Sequence, residues 1–255
     1  MKHISKITAI ALLATLSACE GSDMPIQQAD NHGYISFSAQ PQKTATRANP
    51  YEAYDPTRHP ATMGTFGYYD MPKRYASAAN TIFNNETATY NVATYGWDTA
   101  TKKRWTEYTK ASSFDFFAYM PYTSGATLLR TANNTYTLSF PFAMSDGGNP
   151  VPVIYDTKAA PIICAVPSSK GAISDSNGGG TVSLKFDQTL TGYKLLFMLG
   201  TKMNAIRHFR IKSVTLSGSF STSCTISRSY VWNTTSKSWS ASAITSVSYT
   251  HLRAH

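Results

Sequence analysis

The stretch "TYTLSFPF", Thr135 to Phe142, sets Tyr136, Leu138 and Phe140 against Thr135, Thr137 and Ser139. An apolar–polar period of two puts one class of side chain on each face of an extended strand; a helix would need apolar residues three and four apart. Short runs of the same kind precede it: "TFGYYD", "TYNVATYGW", "KRWTEYT" and "SFDFFAYMPY". They are rich in aromatic and β-branched residues and are separated by Gly, Asn and Pro. This is the pattern of an all-β sandwich rather than of alternating strands and helices. A single short helix near "RYASAANTIF" is compatible with it.

A second series follows "SDGGNPVP", Ser145 to Pro152: "VIYDTKAA", "TVSLKFDQ", "YKLLFMLG", "HFRIKSVTLSG", "SCTISRSYVW" and "KSWSASAI". Val182, Leu184 and Phe186 alternate with Ser183, Lys185 and Asp187, so that strand has a wet side. In "FRIKSVTLSG" the apolar phase shifts between Ile211 and Val214, which predicts a bulge near Lys212 or Ser213. The Gly- and Pro-containing joint between the two series predicts two domains, residues 33–150 and 151–246, the second lacking its last strand or strands.

The two ends read as something other than fold. Lys2 and Lys6 open a basic start, "ITAIALLATLSA" is apolar but too short to span a bilayer, and "LSAC" closes it. Residues 1–18 read as a signal peptide and Cys19 as the acylated first residue of a lipoprotein, anchored through its acyl chains. Residues 19–32 are polar and without period, as a tether would be. The closing "VSYTHLRAH", residues 247–255, reads as translated sequencing adaptor rather than native protein, so no role is given to its His and Arg residues.

Charge excludes one class of partner. Setting aside Lys2, Lys6 and Arg253 lowers Lys+Arg from 23 to 20 against 14 Asp+Glu, a scattered excess of +6. "KKR" at Lys102 to Arg104 is the one tight basic cluster and reads as a hairpin tip, not as the continuous stripe that nucleic acid requires. Catalytic patterns are missing too. His32, His59 and His208 have no partner at metal-ligand spacing, there is no Gly-x-Ser-x-Gly elbow, and "SNGGGT" lacks the Gly-Lys-Ser/Thr ending of a phosphate loop. A carboxylate pair such as Asp115 with Glu107 has no spatial support in sequence alone. The reading is a non-enzyme with no cofactor and no metal.

Other residues are open to two interpretations. Asp115 interrupts an aromatic strand, either as a ligand contact beside Tyr119 and Tyr122 or as a hydrogen-bonded rim residue. Trp97, Trp105, Trp232 and Trp239 are either a sugar platform or core packing. Cys164 and Cys224 are either a disulfide or two free thiols. "DTA", Asp98 to Ala100, resembles a short O-glycosylation motif, which would place a glycan on Thr99.

Near the N-terminus, "GYISFSAQ" turns Ile35, Phe37 and Ala39 to one side and Ser36 and Ser38 to the other. "QPQKTATRANPYEAYDPTRHP" follows, too rich in proline and small polar residues for a sheet interior or a helix. The lipobox, "YISFSA", the "TRA" of Thr46 to Ala48, "FDFFAYMPY" and "VSLKFDQTLTGYKLLFML" together resemble the fimbrillin-like (Mfa-like) lipoproteins of gut and oral anaerobes. Many members of that family carry a His where Gln188 stands. The resemblance implies two tandem transthyretin-like Greek-key β-sandwich domains and a stalk or tip subunit of an outer-membrane-derived surface fimbria. It also implies that an Arg-specific protease cuts between Arg47 and Ala48, and that the strand bearing Ile35, Phe37 and Ala39 is then displaced by a strand from another subunit. The alternative from a different class is a monomeric surface lipoprotein that binds glycan or a host ligand through exposed aromatics and never polymerises.

Overall fold

The computed structural model describes residues 33–42, 51–71, 78–143, 160–173, 179–189 and 223–246. Within them the chain is all-β, with thirteen strands and two single-turn 3-10 helices, Ala78–Asn80 and Trp105–Tyr108. The strands are β1 Ser36–Pro41, β2 Thr62–Tyr69, β3 Thr81–Asn91, β4 Gly96–Thr99, β5 Ser113–Met120, β6 Thr127–Ala132 and β7 Thr135–Ala143. They continue with β8 Ile162–Cys164, β9 Ser168–Gly171, β10 Thr181–Gln188, β11 Ser223–Asn233, β12 Ser238–Ala241 and β13 Thr245–Ser246.

The first sheet runs β2-β3-β4-β1-β10-β8-β5, and β2 pairs with β5, so seven strands close into a barrel-like ring; β9 adds beside β5. The second sheet runs β12-β11-β7-β6, with β13 also on β11. β5 explains why "FDFFAYM" is apolar on both faces. Phe114 and Phe116 meet the ring of Trp105, and Phe116 also meets Phe37 inside the barrel. Phe117 and Tyr119 turn outward onto Tyr230, Trp239 and Phe140 of the second sheet. A strand buried on both sides loses the alternation that marks a half-wet one. The alternating β7 is the opposite case: Tyr136, Leu138 and Phe140 are buried against the barrel. The β6–β7 hairpin turns through Asn133 and Asn134, with Asn134 at φ 56°, a left-handed position Asn tolerates.

Both sheets draw strands from either side of residue 150, as in β1 with β10, β5 with β8 and β7 with β11. The alternation read correctly within each strand carried no information on which distant strand would pair with it. "KRWTEYT" is a 3-10 turn, not a strand: Arg104 N donates to Glu107 Oε1 at 2.9 Å, which closes the turn locally. Lys102 to Arg104 is accordingly no hairpin tip, because Arg104 bridges back to Tyr34. The Trp105 ring packs so closely over Gly179 that a Cβ there would fall 2.4 Å from Trp105 Cε2, which explains a glycine before β10. The expected bulge near Lys212 and Ser213 lies outside the described residues, as does the joint at Ser145 to Pro152.

Candidate functional site

β1 is a stave of the closed ring, with a neighbour on each side. It pairs with β10 in parallel from Ser36↔Thr181 to Pro41↔Phe186, and with β4 antiparallel at Phe37↔Trp97. Among the described pairings this is the one parallel ladder. Ile35, Phe37 and Ala39 are buried, as the alternation predicts, and Phe37 sits 5.8 Å from the Phe83 ring and 5.6 Å from the Phe116 ring. Ser36 departs from the expectation of a wet face: it is buried, with its hydroxyl 3.2 Å from that of Thr181.

Both ends of β1 are fastened. Upstream, Trp105 N donates to Gly33 O at 2.9 Å and Ile35 N to Lys103 O at 2.8 Å. The Arg104 guanidinium covers the Tyr34 ring at 4.7 Å, and its Nη2 donates to the Tyr34 hydroxyl at 2.9 Å. Downstream, Gln42 forms an antiparallel bridge with Tyr51, and Glu52 N donates to Pro41 O at 3.0 Å. The ends of the 43–50 segment are therefore held side by side.

Tyr51 reaches from that bridge across to β10. Its hydroxyl donates to Asp187 Oδ1 at 3.0 Å, and Lys185 Nζ lies 5.3 Å from its ring centre. Burial and the Asp187 carboxylate push the Tyr51 phenol up to about 12, so it stays a donor throughout the neutral range. Asp187 Oδ2 in turn accepts from Arg228 Nη1 of β11 at 2.6 Å, and Arg228 also reaches Cys164 O at 3.3 Å and Ser242 O at 3.0 Å. Nothing in the sequence linked Tyr51, Asp187 and Arg228; their separations of 136 and 41 residues close only through the β1–β10 and β7–β11 pairings.

Cys19, Arg47 and Ala48 lie outside the described residues, as do His32 and His208. Thr99 is within them and is 3% exposed, its hydroxyl donating to Thr101 O at 2.9 Å. A glycosylated hydroxyl must face solvent; this one is enclosed and committed, so the folded chain does not present the expected glycan site. Of the two alternatives for Cys164 and Cys224, the structure has both as free thiols. The Cys164 sulfur lies 2.9 Å from the Tyr230 hydroxyl, and Cys224 is six residues from Tyr230 along the same strand. That is about 20 Å of strand, far beyond the Cα separation a disulfide can span.

Asp115 is not a solvent-facing ligand residue and is not paired with Glu107. It is 1% exposed; Ser169 Oγ and Trp239 Nε1 donate to its Oδ1 at 2.5 and 2.8 Å, while Oδ2 has no partner. Burial raises its carboxyl above the usual range. Glu107 belongs to the turn of Trp105, whose ring packs on the opposite face of β5. Trp97 and Trp105 are core residues at 1% exposure, while Trp232 and Trp239 form a half-buried cross-strand pair with ring centres 5.2 Å apart. The ring planes meet at 61°, so the two do not make a flat stacking platform for a sugar. His59 is buried, with Nδ1 3.1 Å from Asp55 O, and burial lowers its pKa. Among the described residues, no three His, Cys, Asp or Glu side chains gather as a metal site would require, and no helix is long and apolar enough to cross a membrane.

The chain matches no family model and no curated protein. Among solved structures it matches one described as a "putative cell adhesion protein" from Bacteroides uniformis, at 16% identity and a TM-score of 0.31. The match covers 62% of this chain and 48% of that one, so this chain spans about half the length of the protein it resembles.

Proposed function

We propose that this chain is a structural subunit, stalk or tip, of a bacterial surface fimbria. It is exported as an outer-membrane lipoprotein through Cys19, cut between Arg47 and Ala48, and assembled with other subunits by strand exchange. It acts without catalysis. The observation that carries this reading is β1 itself. Ile35, Phe37 and Ala39 plug the core of a closed ring, yet the strand joins the rest of the chain downstream only through the segment that contains Arg47. With that link cut, β1 becomes separable, and its removal bares the ladder edges of both β4 and β10 beside an apolar slot. Unpaired backbone next to an apolar trough is what an added strand satisfies, with main-chain bonds for affinity and alternate side chains for specificity.

The test is processing followed by polymerisation. Full-length protein treated with an Arg-specific protease is expected to yield a new N-terminus at Ala48. Arg47→Ala is expected to abolish SDS-resistant polymers. Cutting confined to other sites, or unchanged laddering of Arg47→Ala, would refute the proposal.

A further inference from the structure

We infer that Tyr51 is a latch that keeps β1 in its slot after the chain is severed, so that cutting and opening are separate events. The inference rests on the strand-exchange reading and adds a control to it.

Four sets of contacts hold β1 without using the 43–50 segment. They are the ladder to β10, the pairing to β4, the upstream fastening by Lys103, Arg104 and Trp105, and the downstream fastening by Tyr51 and Glu52. Breaking a peptide bond removes none of them. It removes only the covalent tether that makes reclosure intramolecular. The severed strand is therefore retained, and an incoming strand must displace it rather than enter an empty groove.

Displacement starts where the ladder has a loose end, and the cut creates that end beside Gln42. There Tyr51 acts twice. Its backbone continues the sheet beside Gln42, while its hydroxyl and ring grip Asp187 and Lys185 of β10 from across the strand. The side chain thus ties the chain downstream of the cut to the strand that β1 must leave, and Pro41 and Gln42 are held between them. Asp187 is itself fixed by Arg228, so the anchor does not follow β1 outward.

The test places a recognition sequence for a site-specific protease between Gln42 and Tyr51 of the full chain, which makes the result independent of whether Arg47 is processed. After cutting, native gel filtration is expected to keep the upstream fragment with the body, and denaturant to release it. A dye-labelled peptide of sequence GYISFSAQPQ, residues 33–42, is then offered to the cut protein. Incorporation is expected to be slow in the parent and roughly tenfold faster in Tyr51→Phe, which loses one hydrogen bond to a carboxylate. Lys185→Ala, at an exposed position, is expected to give a smaller increase of about two- to threefold and serves as a second variant. Immediate loss of the fragment on cutting would overturn retention. Equal incorporation rates in parent, Tyr51→Phe and Lys185→Ala would overturn the latch.

Discussion

Phe37→Ala probes whether β1 is an integral stave of the barrel. Phe37 is fully buried and packs between the Phe83 and Phe116 rings. Truncation to alanine loses the transfer energy of the ring and leaves a cavity that two neighbouring phenyl groups cannot fill without leaving their own contacts. Deletions of this kind cost about 3–5 kcal/mol. Against a typical total stability of about 5–15 kcal/mol that is a large fraction, and for a chain of this size it corresponds to a fall in Tm of roughly 10 °C. Urea unfolding followed by tryptophan fluorescence suits the measurement, because Trp97 stands directly opposite Phe37 in the ladder. Ser38→Ala, half-buried on the other face of the same strand, is the matched control and should shift stability by about 0.5 kcal/mol or less. If Phe37→Ala lost less than about 1 kcal/mol, β1 would not be filling the core, and the slot on which strand exchange depends would not exist.

Asp115 supplies a pH test. Its folded-state pKa is raised by burial, so it favours the folded state fully below the ordinary carboxylate value and loses that contribution as pH rises through the raised pKa. Asp115→Asn keeps an acceptor for Ser169 and Trp239; its stability relative to the parent should therefore improve between pH 4 and pH 7, and parallel stability curves would refute the cause assigned. Arg228→Ala should cost about 2–4 kcal/mol in chemical denaturation, because it removes the cation paired with the Asp187 carboxylate in a site where the two side chains are 11% and 20% exposed, leaving it the Tyr51 hydroxyl. A loss below about 0.5 kcal/mol would show that the pair is a surface contact. Alkylation of unreduced protein should modify Cys224 under native conditions and Cys164 only after unfolding, since burial pushes the Cys164 thiol up to about 11. A Cys164–Cys224 crosslinked peptide in the mass spectrum would contradict the strand geometry.

The sequence announced strands reliably where one face is wet and poorly where both faces are buried or neither is regular. β7 and β10 alternate because each has a polar side, and their inward residues were legible. β5 was recognisable by composition alone, since a strand between the barrel interior and a second sheet has no polar face to mark its period. Trp105–Tyr108 looked like a strand because its residues favour strands, but Arg104 and Glu107 close it into a turn through Arg104 N to the Glu107 carboxylate and Glu107 N to Arg104 O. Pairing was illegible: period two says which way a side chain points but nothing about which strand lies alongside. The pairings that cross residue 150 and the Tyr51–Asp187–Arg228 connection were out of reach for that reason. Ile35, Phe37 and Ala39 were found because local alternation was the whole of the required information.

The ring topology bears on whether an emptied slot persists. β4 is antiparallel to β1 and β1 is parallel to β10, so β4 and β10 are themselves antiparallel and could in principle pair directly once β1 is gone. Direct pairing would draw them from about two strand spacings, roughly 9.6 Å, to one. The ring would then have to narrow around Phe83, Phe116, Leu184 and Trp97, all of them buried side chains that already fill it. Interiors packed to crystal-like density do not shrink by a strand's width without expelling side chains. If strand exchange operates as proposed, these remaining side chains would resist full closure of the two edges after β1 leaves. A strand that enters the slot must present its backbone to both edges, running parallel to β10 and antiparallel to β4, with an aromatic or large aliphatic residue at the Phe37 position and a small one at Ala39. A donor segment running the other way would reverse both ladders, and its incorporation in competition with a β1 peptide would show that side-chain fit, rather than strand direction, governs the exchange.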